Sequence, residues 1–253
     1  MWFNQAKCDI YMGTGAGTKL LQELANAQKS VKIASPFLSP NMVGELIRLH
    51  DQGIKISLIT SVSSYDDSQR QERSLRPLVL QHRRLNHRAK NSRRRLKRIR
   101  RILQIIGILS IAFLLYRFYA TTAWAYLYAL PFPLLLLGIT GYFGRRIRRK
   151  RVYSYSYSQL FPFRVFGTPE PGRINSMFVH GKIYIIDGRT AYLGSLNFTE
   201  SGTKYNYETR IRVTDIEAVN KIDGAFEELY HHDELDFLGI EEWGKRFYME
   251  PIN

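Results

Sequence analysis

Short blocks of apolar residues alternate with polar ones along the first sixty positions of the chain. Three blocks rich in β-branched and aromatic residues predict strands over 7–12, 30–38 and 54–60. Between them, apolar side chains recur every three or four positions and predict helices over 18–28 and 40–53. Pro40 suits the first turn of a helix, and Gly53 suits its end. This alternation of strands and helices predicts an α/β architecture.

A long apolar segment then interrupts the pattern. From Ile102 to Gly144 the only charged residue is Arg117. A single helix of roughly 42 residues would be about 63 Å long, twice the ~30 Å thickness of the hydrocarbon core of a bilayer. The segment 102–144 therefore predicts a transmembrane hairpin of two helices with a turn near 119–123. Pro131 and Pro133 are expected to kink the second helix, and Arg117 is expected to reach the membrane interface.

Positive charge is concentrated on both sides of this segment. Residues 70–101 hold 14 Lys and Arg against one acidic residue, and residues 145–151 hold six against none. Elsewhere acidic residues outnumber basic ones by 21 to 17, although the whole chain carries a formal charge of +15. This distribution disfavours a nucleic-acid binder with a basic folded face. Because basic flanks mark the cytoplasmic side, we expect an integral membrane protein with its soluble parts in the cytoplasm. The apolar segment starts far from residue 1, so no N-terminal signal peptide is expected.

The basic segment 70–101 predicts a helix with a heptad seam, since eight of its residues follow a 3-4-3-4 spacing. These residues are Leu75, Leu78, His82, Leu85, Ala89, Ser92, Leu96 and Ile99. Three interpretations remain open: the seam contacts a partner helix, packs against its own domain, or belongs to an exposed stalk. The charge of this helix would also attract anionic lipid headgroups.

The soluble pattern resumes after the hairpin. Further strands are predicted over 153–158, 177–187, 190–198 and 208–215, and an amphipathic helix is predicted over 216–230. Strands clustered after the hairpin, together with the alternation before it, predict an α/β sandwich with a mixed sheet. The chain thus divides into a first domain part, a basic helix, a hairpin and a second domain part, over 1–69, 70–101, 102–144 and 145–253.

The second domain part contains a spaced set of polar residues. Within FVHGKIYIIDGRTAYLGSLNFTE, residues 178–200, six positions fit the pattern H-x-K-x4-D-x6-G-S-x-N. They are His180, Lys182, Asp187, Gly194, Ser195 and Asn197. Average composition gives such a match by chance on the order of a few times in a million chains.

The motif resembles the HKD signature of the phospholipase D superfamily. Asn206 and Glu208 resemble the N-x-E pair that commonly follows it. The resemblance covers the chain except about 70–151. It therefore implies a single phospholipase D-like αβ sandwich into which the transmembrane hairpin is inserted.

The spacing of the motif also has a direct physical meaning. In a strand, residues two apart share a face, so His180 and Lys182 are expected to project together, as are Ser195 and Asn197 on the next strand. That face would gather an imidazole, an ammonium, a hydroxyl and a carboxamide, a set that suits a phosphodiester.

The resemblance assigns a role to each side chain. It implies that His180 attacks phosphorus and becomes a phosphohistidine, while Lys182, Asn197 and Ser195 hold the non-bridging oxygens. It assigns Glu208 to the other nitrogen of the imidazole.

Two further motif positions are assigned to the scaffold. The resemblance implies a mainly structural role for Asp187, and Gly194 is expected to permit close backbone approach. No metal or cofactor is implied, because the motif supplies its own cations and no carboxylate cluster accompanies it.

A single motif supplies only one histidine, whereas in-line displacement needs a proton donor on the opposite side of phosphorus. The other histidines lack the Lys and Asn partners of the motif: His50, His82, His87, His231 and His232. Without 70–151 the chain keeps about 170 residues, enough for one such domain and not for two. A homodimer is therefore expected to complete the active site with His180 and Lys182 from two copies.

Three functions remain open at this point. The first is a membrane-anchored phosphodiesterase or phosphatidyltransferase acting on phospholipid headgroups, because six basic residues separate the hairpin from the catalytic strands. The second is a membrane-tethered nuclease on DNA or RNA, with the basic helix guiding the phosphate backbone. The third is a non-catalytic member that binds lipid or a partner. The glycines of residues 13–17 could cradle a phosphate, but a tight strand-to-helix turn is the favoured interpretation.

Overall fold

A computed structural model describes residues 6–61, 68–166, 179–232 and 239–253. The chain forms two compact units. The first contains Met1–Gln81 and Tyr157–Tyr248, and the second contains His82–Ser156 and Met249–Asn253. The soluble segments on both sides of the long apolar segment thus combine in one unit.

Within the described residues, the chain forms nine strands and nine helices. The strands are β1 Cys8–Thr14, β2 Ser30–Ala34, β3 Lys55–Ser61, β4 Val79–Leu85, β5 Tyr153–Gln159, β6 Phe163–Phe166, β7 Ile183–Ile186, β8 Thr190–Gly194 and β9 Tyr207–Val213. The helices are α1 Thr18–Ala25, α2 Pro40–Asp51, α3 Ser68–Leu75, α4 His87–Thr121, α5 Ala125–Tyr128, α6 Pro131–Arg149, α7 Glu200–Lys204, α8 Ile216–Tyr230 and α9 Ile240–Phe247.

Seven of the strands form one mixed sheet in the first unit. Its order is β1-β9-β8-β7-β2-β3-β6. The pairs β2–β3 and β3–β6 are parallel, and the other four pairs are antiparallel. Strands β4 and β5 form a separate two-stranded sheet. The predicted α/β class with a mixed sheet is confirmed.

Both faces of the central strand β2 are covered. Lys32 Nζ contacts Asp223 and Glu227 of α8, so this face of β2 lies under α8. Val31 and Ile33 point the other way and are fully buried. A core of eleven buried residues packs under α8 and includes Ile185 of β7 and Phe226 of α8. The centre of the sheet is therefore an internal layer, whereas the edge strand β1 is largely exposed.

The segment 70–101 is not one helix, and this prediction was wrong. Helix α3 ends at Leu75, a short 3₁₀ turn covers Arg76–Leu78, and β4 follows. Leu75 and Leu78 are fully buried in the first unit. Pro77 lies within the 3₁₀ turn and cannot donate the backbone hydrogen bond that a continuing helix needs. The burial of these leucines and the proline together explain why the helix ends here, although the heptad spacing predicts that it continues.

The second half of the seam does lie on a helix. Asn86 caps α4, because its Oδ1 accepts a hydrogen bond from the backbone N–H of Ala89 at 3.0 Å. Ser92 Oγ accepts a hydrogen bond from Lys150 Nζ, and Arg93 Nε donates to the carbonyl oxygen of Ile147 at 3.4 Å. This part of the seam packs against α6 of the same chain.

The second unit is an antiparallel helical hairpin. Helix α4 ends at Thr121 and is followed by Thr122, which has a left-handed φ of 50°, within the turn predicted at 119–123. A Cβ added to Gly107 would lie 2.8 Å from Leu137, so α4 and α6 approach closely there. Near the turn, Arg117 Nη2 donates to Tyr126 Oη at 2.9 Å.

The second apolar helix is interrupted by its prolines. Pro131 is the first residue of α6, and Ala129 and Leu130 separate it from α5. Ala129 and Leu130 keep right-handed helical backbone angles, so the predicted disturbance of the second helix by its prolines lies at this two-residue break. By length and composition, His87–Thr121 and Ala125–Arg149 are both long and apolar enough to cross a membrane.

Candidate active site

Three chain segments meet at one edge of the large sheet. Ile183, at the start of β7, pairs with Leu193 near the end of β8. Gly194, at the end of β8, pairs with Arg210 of β9. Because both pairs are antiparallel, the residues before β7, those after β8 and the start of β9 lie at the same edge. These segments carry His180, Lys182, Ser195, Asn197 and Glu208.

His180 and Lys182 contact each other just before β7. Lys182 Nζ lies 3.1 Å from both Nδ1 and Nε2 of His180 and donates to the His180 carbonyl oxygen at 2.9 Å. The His180 side chain is exposed, whereas Lys182 is 6% exposed. The ammonium is thus held next to the ring by the protein.

The strand predicted over 177–187 begins later than expected. Strand β7 starts at Ile183, so His180 and Lys182 precede it. The β7–β8 ladder ends at the pair Ile183–Leu193, and beyond it Ser195 N still donates to Thr209 O of β9 at 3.1 Å. Residues 177 and 178 lie outside the described residues. The prediction that His180 and Lys182 project from a strand was wrong, although they do contact each other.

The strand predicted over 190–198 ends early for the same reason. Strand β8 stops at Gly194, so Ser195 and Asn197 lie in the loop that follows and not on the strand. Two hydrogen bonds fix this loop. Tyr184 Oη donates to the carbonyl oxygen of Leu196 at 2.6 Å, and the backbone N–H of Phe198 donates to Ser35 Oγ at 2.9 Å. Burial raises the pKa of Tyr184, which remains a neutral donor.

Glu208 is held by two neighbours at the start of β9. Ser195 Oγ donates to Glu208 Oε2, and Asn206 Nδ2 donates to Glu208 Oε1 at 3.2 Å. Ser195 Oγ also accepts a hydrogen bond from Thr209 N at 3.0 Å. Glu208 is 8% exposed. Both carboxylate oxygens therefore have donors, and the assignment of Glu208 to the imidazole of His180 stays a prediction.

Lys182 connects the two groups electrostatically. Burial lowers the pKa of the Lys182 amine below its ordinary value of 10.5, and the nearby Glu208 carboxylate partly opposes this effect. The carboxylate thus stabilises a buried cation that lies against His180. An ammonium placed in this way can attract the oxygens of a phosphoryl group bound to the ring.

A cavity of about 520 Å³ opens at the same edge of the sheet. Asn197, Asn206 and Arg73 are among the residues that line it. Asn197 Oδ1 is buried and has no hydrogen-bond partner among the described residues. Arg73 was not predicted as a site residue, because it lies in the basic segment 70–101 and no local motif distinguishes it from its basic neighbours.

Asp187 lies apart from these residues, at the other end of β7. Its carboxylate accepts hydrogen bonds from the backbone N–H groups of Gln28, Lys29 and Ser30, at 2.7–3.1 Å. Burial would raise the pKa of Asp187, but these three donors outweigh it and hold the pKa below 3.8. The geometry is that of a scaffold residue that fixes the entry into β2.

Two glycines allow close backbone contacts. A Cβ at Gly194 would lie 2.0 Å from the carbonyl oxygen of Thr209. A Cβ at Gly17 would lie 2.5 Å from the carbonyl oxygen of Thr203, and Gly17 N donates to that oxygen at 3.1 Å. The start of α1 is therefore occupied by the chain itself, which favours the structural interpretation of residues 13–17.

Within the part of the chain that the structure describes, no three His, Cys, Asp or Glu side chains group as metal ligands. What the sheet edge gathers is an imidazole, a buried ammonium, a hydroxyl, two carboxamides and one carboxylate. This set of side chains on a mixed α/β sheet suits the binding of a phosphodiester.

Part of the chain matches a known protein family. Residues 143–230 match the family described as "Cardiolipin synthase, PLD-like domain". No curated protein sequence matches the chain. This match covers about a third of the chain, including the motif, and supports the resemblance of that segment to the phospholipase D superfamily.

Solved structures of low sequence identity are also similar to this chain. NucT from Helicobacter pylori is 14% identical with a TM-score of 0.47, and the match covers 92% of this chain and 100% of NucT. Nuc from Salmonella typhimurium, a phospholipase D family member, is 12% identical with a TM-score of 0.41, over 88% and 93% of the two chains. Phosphatidylserine synthase from Haemophilus influenzae is 11% identical with a TM-score of 0.43, over 97% of this chain and 46% of that one.

Proposed function

We propose that the protein is a membrane-anchored phosphodiesterase that hydrolyses or transfers phospholipid headgroups through a phosphohistidine. The observation that carries the chemistry is the contact between the exposed ring of His180 and the buried ammonium of Lys182. The Glu208 carboxylate, which two side chains hold by hydrogen bonds, stabilises the Lys182 ammonium and so supports the same reaction. The roles of the individual side chains follow from these contacts.

The first step forms a bond between His180 and phosphorus. A neutral ring nitrogen attacks the phosphodiester, the bond from phosphorus to the leaving oxygen breaks, and negative charge develops on the non-bridging oxygens. Lys182 and Asn197 at the same sheet edge stabilise this charge, whereas Ser195 donates its hydroxyl proton to Glu208. Asn197 and Asn206 line the cavity beside the site and are placed to orient the substrate.

The leaving oxygen needs a proton from the opposite side of phosphorus. We assign this proton to His180 of a second copy of the chain, because the other described histidines lie outside the motif. In the second step, water or an alcohol gives its proton to that second ring and attacks phosphorus, and the bond to the first ring breaks. The proposed active unit is therefore a homodimer.

The membrane part of the proposal is supported by the exposed apolar surface of the hairpin. Large apolar side chains are exposed along both helices, including Ile105 and Leu109 on α4 and Leu134 and Leu135 on α6. An exposed apolar surface that extends along two helices needs a lipid or protein environment. Because both units belong to one chain, anchoring the hairpin confines the catalytic unit to the membrane surface, where phospholipid is the abundant phosphodiester.

The test compares the purified full-length protein with two variants, His180→Ala and His87→Ala. His87 is an exposed histidine at the start of α4, outside the motif, and serves as the matched control. Each protein is incubated with mixed phospholipid vesicles, with and without a primary alcohol, and separately with single-stranded and duplex nucleic acid. We expect phosphatidate, or a transphosphatidylation product when alcohol is present, from the wild type and the His87 variant only.

The possible outcomes separate the competing functions. Cleavage of nucleic acid without lipid turnover would assign the protein to nucleases. Equal rates for wild type and His180→Ala on every substrate would exclude catalysis by this site. An acid-labile, histidine-linked phosphoryl adduct from labelled lipid would report the intermediate directly, and its absence during turnover would exclude the covalent step.

A further inference from the structure

The second unit carries a basic cleft that the proposed reaction does not use. The cleft has a volume of about 540 Å³ and is lined by Tyr142, Arg145, Arg146, Arg149 and Lys150. The four basic residues follow Tyr142 by three, four, seven and eight positions. They therefore share one side of α6 and its C-terminal end. No acidic side chain is among the residues that line the cleft.

The opposite side of α6 is used for packing within the hairpin. Gly144 and Ile147 are buried, and a Cβ added to Gly144 would lie 3.2 Å from the guanidinium group of Arg100 on α4. Lys150 Nζ donates to Ser92 Oγ of α4, which fixes one cation of the cleft. The three arginines that line the cleft are exposed.

An apolar stripe continues the cleft along the same side of α6. Leu135 and Ile139 precede Tyr142 by seven and three positions and are 66% and 42% exposed. Along this one side, the helix therefore changes from aliphatic to aromatic to cationic. In a membrane-spanning helix, this sequence of side chains matches the acyl region, the interface and the headgroup region of a leaflet.

We propose that this side of α6 binds one anionic phospholipid. Arg145, Arg146 and Arg149, together with Lys150, engage the headgroup phosphate, since guanidinium groups pair with phosphate oxygens through two parallel hydrogen bonds. An acyl chain lies along Leu135 and Ile139. The proposal rests on the membrane-anchoring part of the proposed function and is independent of its chemistry.

The occupant is assigned as lipid because the stripe and the cleft are continuous. An inorganic phosphate would use only the cations. A phospholipid would also cover the exposed aliphatic side chains, and the cleft volume is within the range of small-ligand sites. The net charge of the lipid matters as well, because four cations without a lining carboxylate favour an anionic headgroup over a zwitterionic one.

The test measures lipid retention by native mass spectrometry of the full-length His180→Ala protein in detergent. This background prevents turnover of the ligand, so the binding result does not depend on whether the protein is a catalyst. The protein is delipidated and titrated with phosphatidylglycerol, phosphatidylcholine or inorganic phosphate. We expect one phosphatidylglycerol per chain, bound at least tenfold more tightly than phosphatidylcholine, and no competition by millimolar phosphate.

Two charge-matched double variants locate the site. Arg145→Gln with Arg149→Gln should weaken phosphatidylglycerol binding by on the order of tenfold or more. Arg98→Gln with Arg148→Gln removes the same charge from exposed positions outside the cleft and should change binding less than twofold. Equal weakening by both variants would show diffuse attraction and overturn the proposal. Equal binding of the two lipids, or displacement by phosphate, would overturn it as well.

Discussion

Lys182 Nζ lies 3.1 Å from both ring nitrogens of His180. The two residues are two positions apart, yet neither belongs to a strand, and the contact depends on Lys182 turning back toward the carbonyl oxygen of His180. A phosphorus atom bonded to either nitrogen would therefore bring its oxygens within reach of the ammonium. We therefore expect the rate of the proposed reaction to depend on the charge of Lys182.

The decrease of kcat/KM at high pH, the alkaline limb of the pH profile, should follow the deprotonation of Lys182. Burial lowers the pKa of this amine below 10.5. The ammonium form is present below that lowered pKa and is lost as the pH rises through it. We therefore expect kcat/KM to fall on the alkaline side at a pH below 10.5, as measured on a lipid substrate over pH 6 to 11.

Lys182→Arg is the control for this assignment. Arginine stays charged throughout the range, so the variant should lose the alkaline limb even though its rate is lower. Lys182→Met should lower kcat/KM by roughly a hundredfold or more at all pH values, as expected when a donor to a developing charge is removed. A limb that persists in Lys182→Arg would assign the alkaline step to another group.

Gly194 and Gly188 form a matched pair for testing the scaffold. A Cβ at Gly194 would lie 2.0 Å from the Thr209 carbonyl oxygen, whereas a Cβ at Gly188 would meet nothing within 4 Å, although its φ is +64°. Gly194→Ala should cost more than about 4 kcal/mol of stability and Gly188→Ala about 1 kcal/mol. Thermal unfolding of the purified variants measures both, and similar costs would show that the β8–β9 contact is adaptable.

Most of the fold could be predicted from residue periodicity. The strands near 7–12 and 54–60 and the helices near 40–53 and 216–230 appear close to their expected bounds. In β3, α2 and α8 the apolar spacing coincides with burial, whereas β1 is largely exposed and pairs with β9. Residues 70–101 failed for a physical reason. A 3-4-3-4 spacing shows which positions could share a helix face. It contains no information that Leu75 and Leu78 are buried in the first unit.

The site was predictable as a set of residues and only partly as a geometry. The motif identified His180, Lys182 and Asn197, and the structure brings the first two into contact. Strand periodicity could not predict that the β7–β8 ladder ends at the pair Ile183–Leu193 and leaves His180 and Lys182 outside it. Long-range pairings of this kind are set by tertiary contacts and leave no local signal.

Asp187→Asn should separate scaffold from catalysis. The carboxylate accepts hydrogen bonds from three backbone N–H groups, and asparagine tolerates the left-handed φ of 54° at this position. The variant should lose about 1–2 kcal/mol of stability at neutral pH while kcat changes less than threefold. A large loss of kcat in stably folded protein would instead give Asp187 a direct part in the reaction.

The acid dependence of that difference has a defined sign. Because the pKa of Asp187 is lowered by folding, its contribution is present above its ordinary value of 3.8 and is lost as the pH falls through the lower folded-state value. Unfolding curves of wild type and Asp187→Asn should therefore converge at a pH below 3.8. A constant difference down to that pH would show that the carboxylate charge is not what stabilises the turn.

Arg73 provides a test of the cavity beside the site. It lines the same cavity as Asn197, and it is the only cation among the residues that do so. If the substrate phosphate or headgroup occupies this cavity, Arg73→Ala removes a charged hydrogen bond worth about 1.5–3 kcal/mol. We expect KM for lipid to rise at least tenfold and kcat to change by less than threefold, with partial recovery in Arg73→Lys. Arg189, exposed on the turn after β7, is the matched control, and Arg189→Ala should leave KM unchanged. If Arg73→Ala lowers kcat at unchanged KM, the arginine acts in the chemical step, and equal KM values in all three variants would place the substrate outside the cavity.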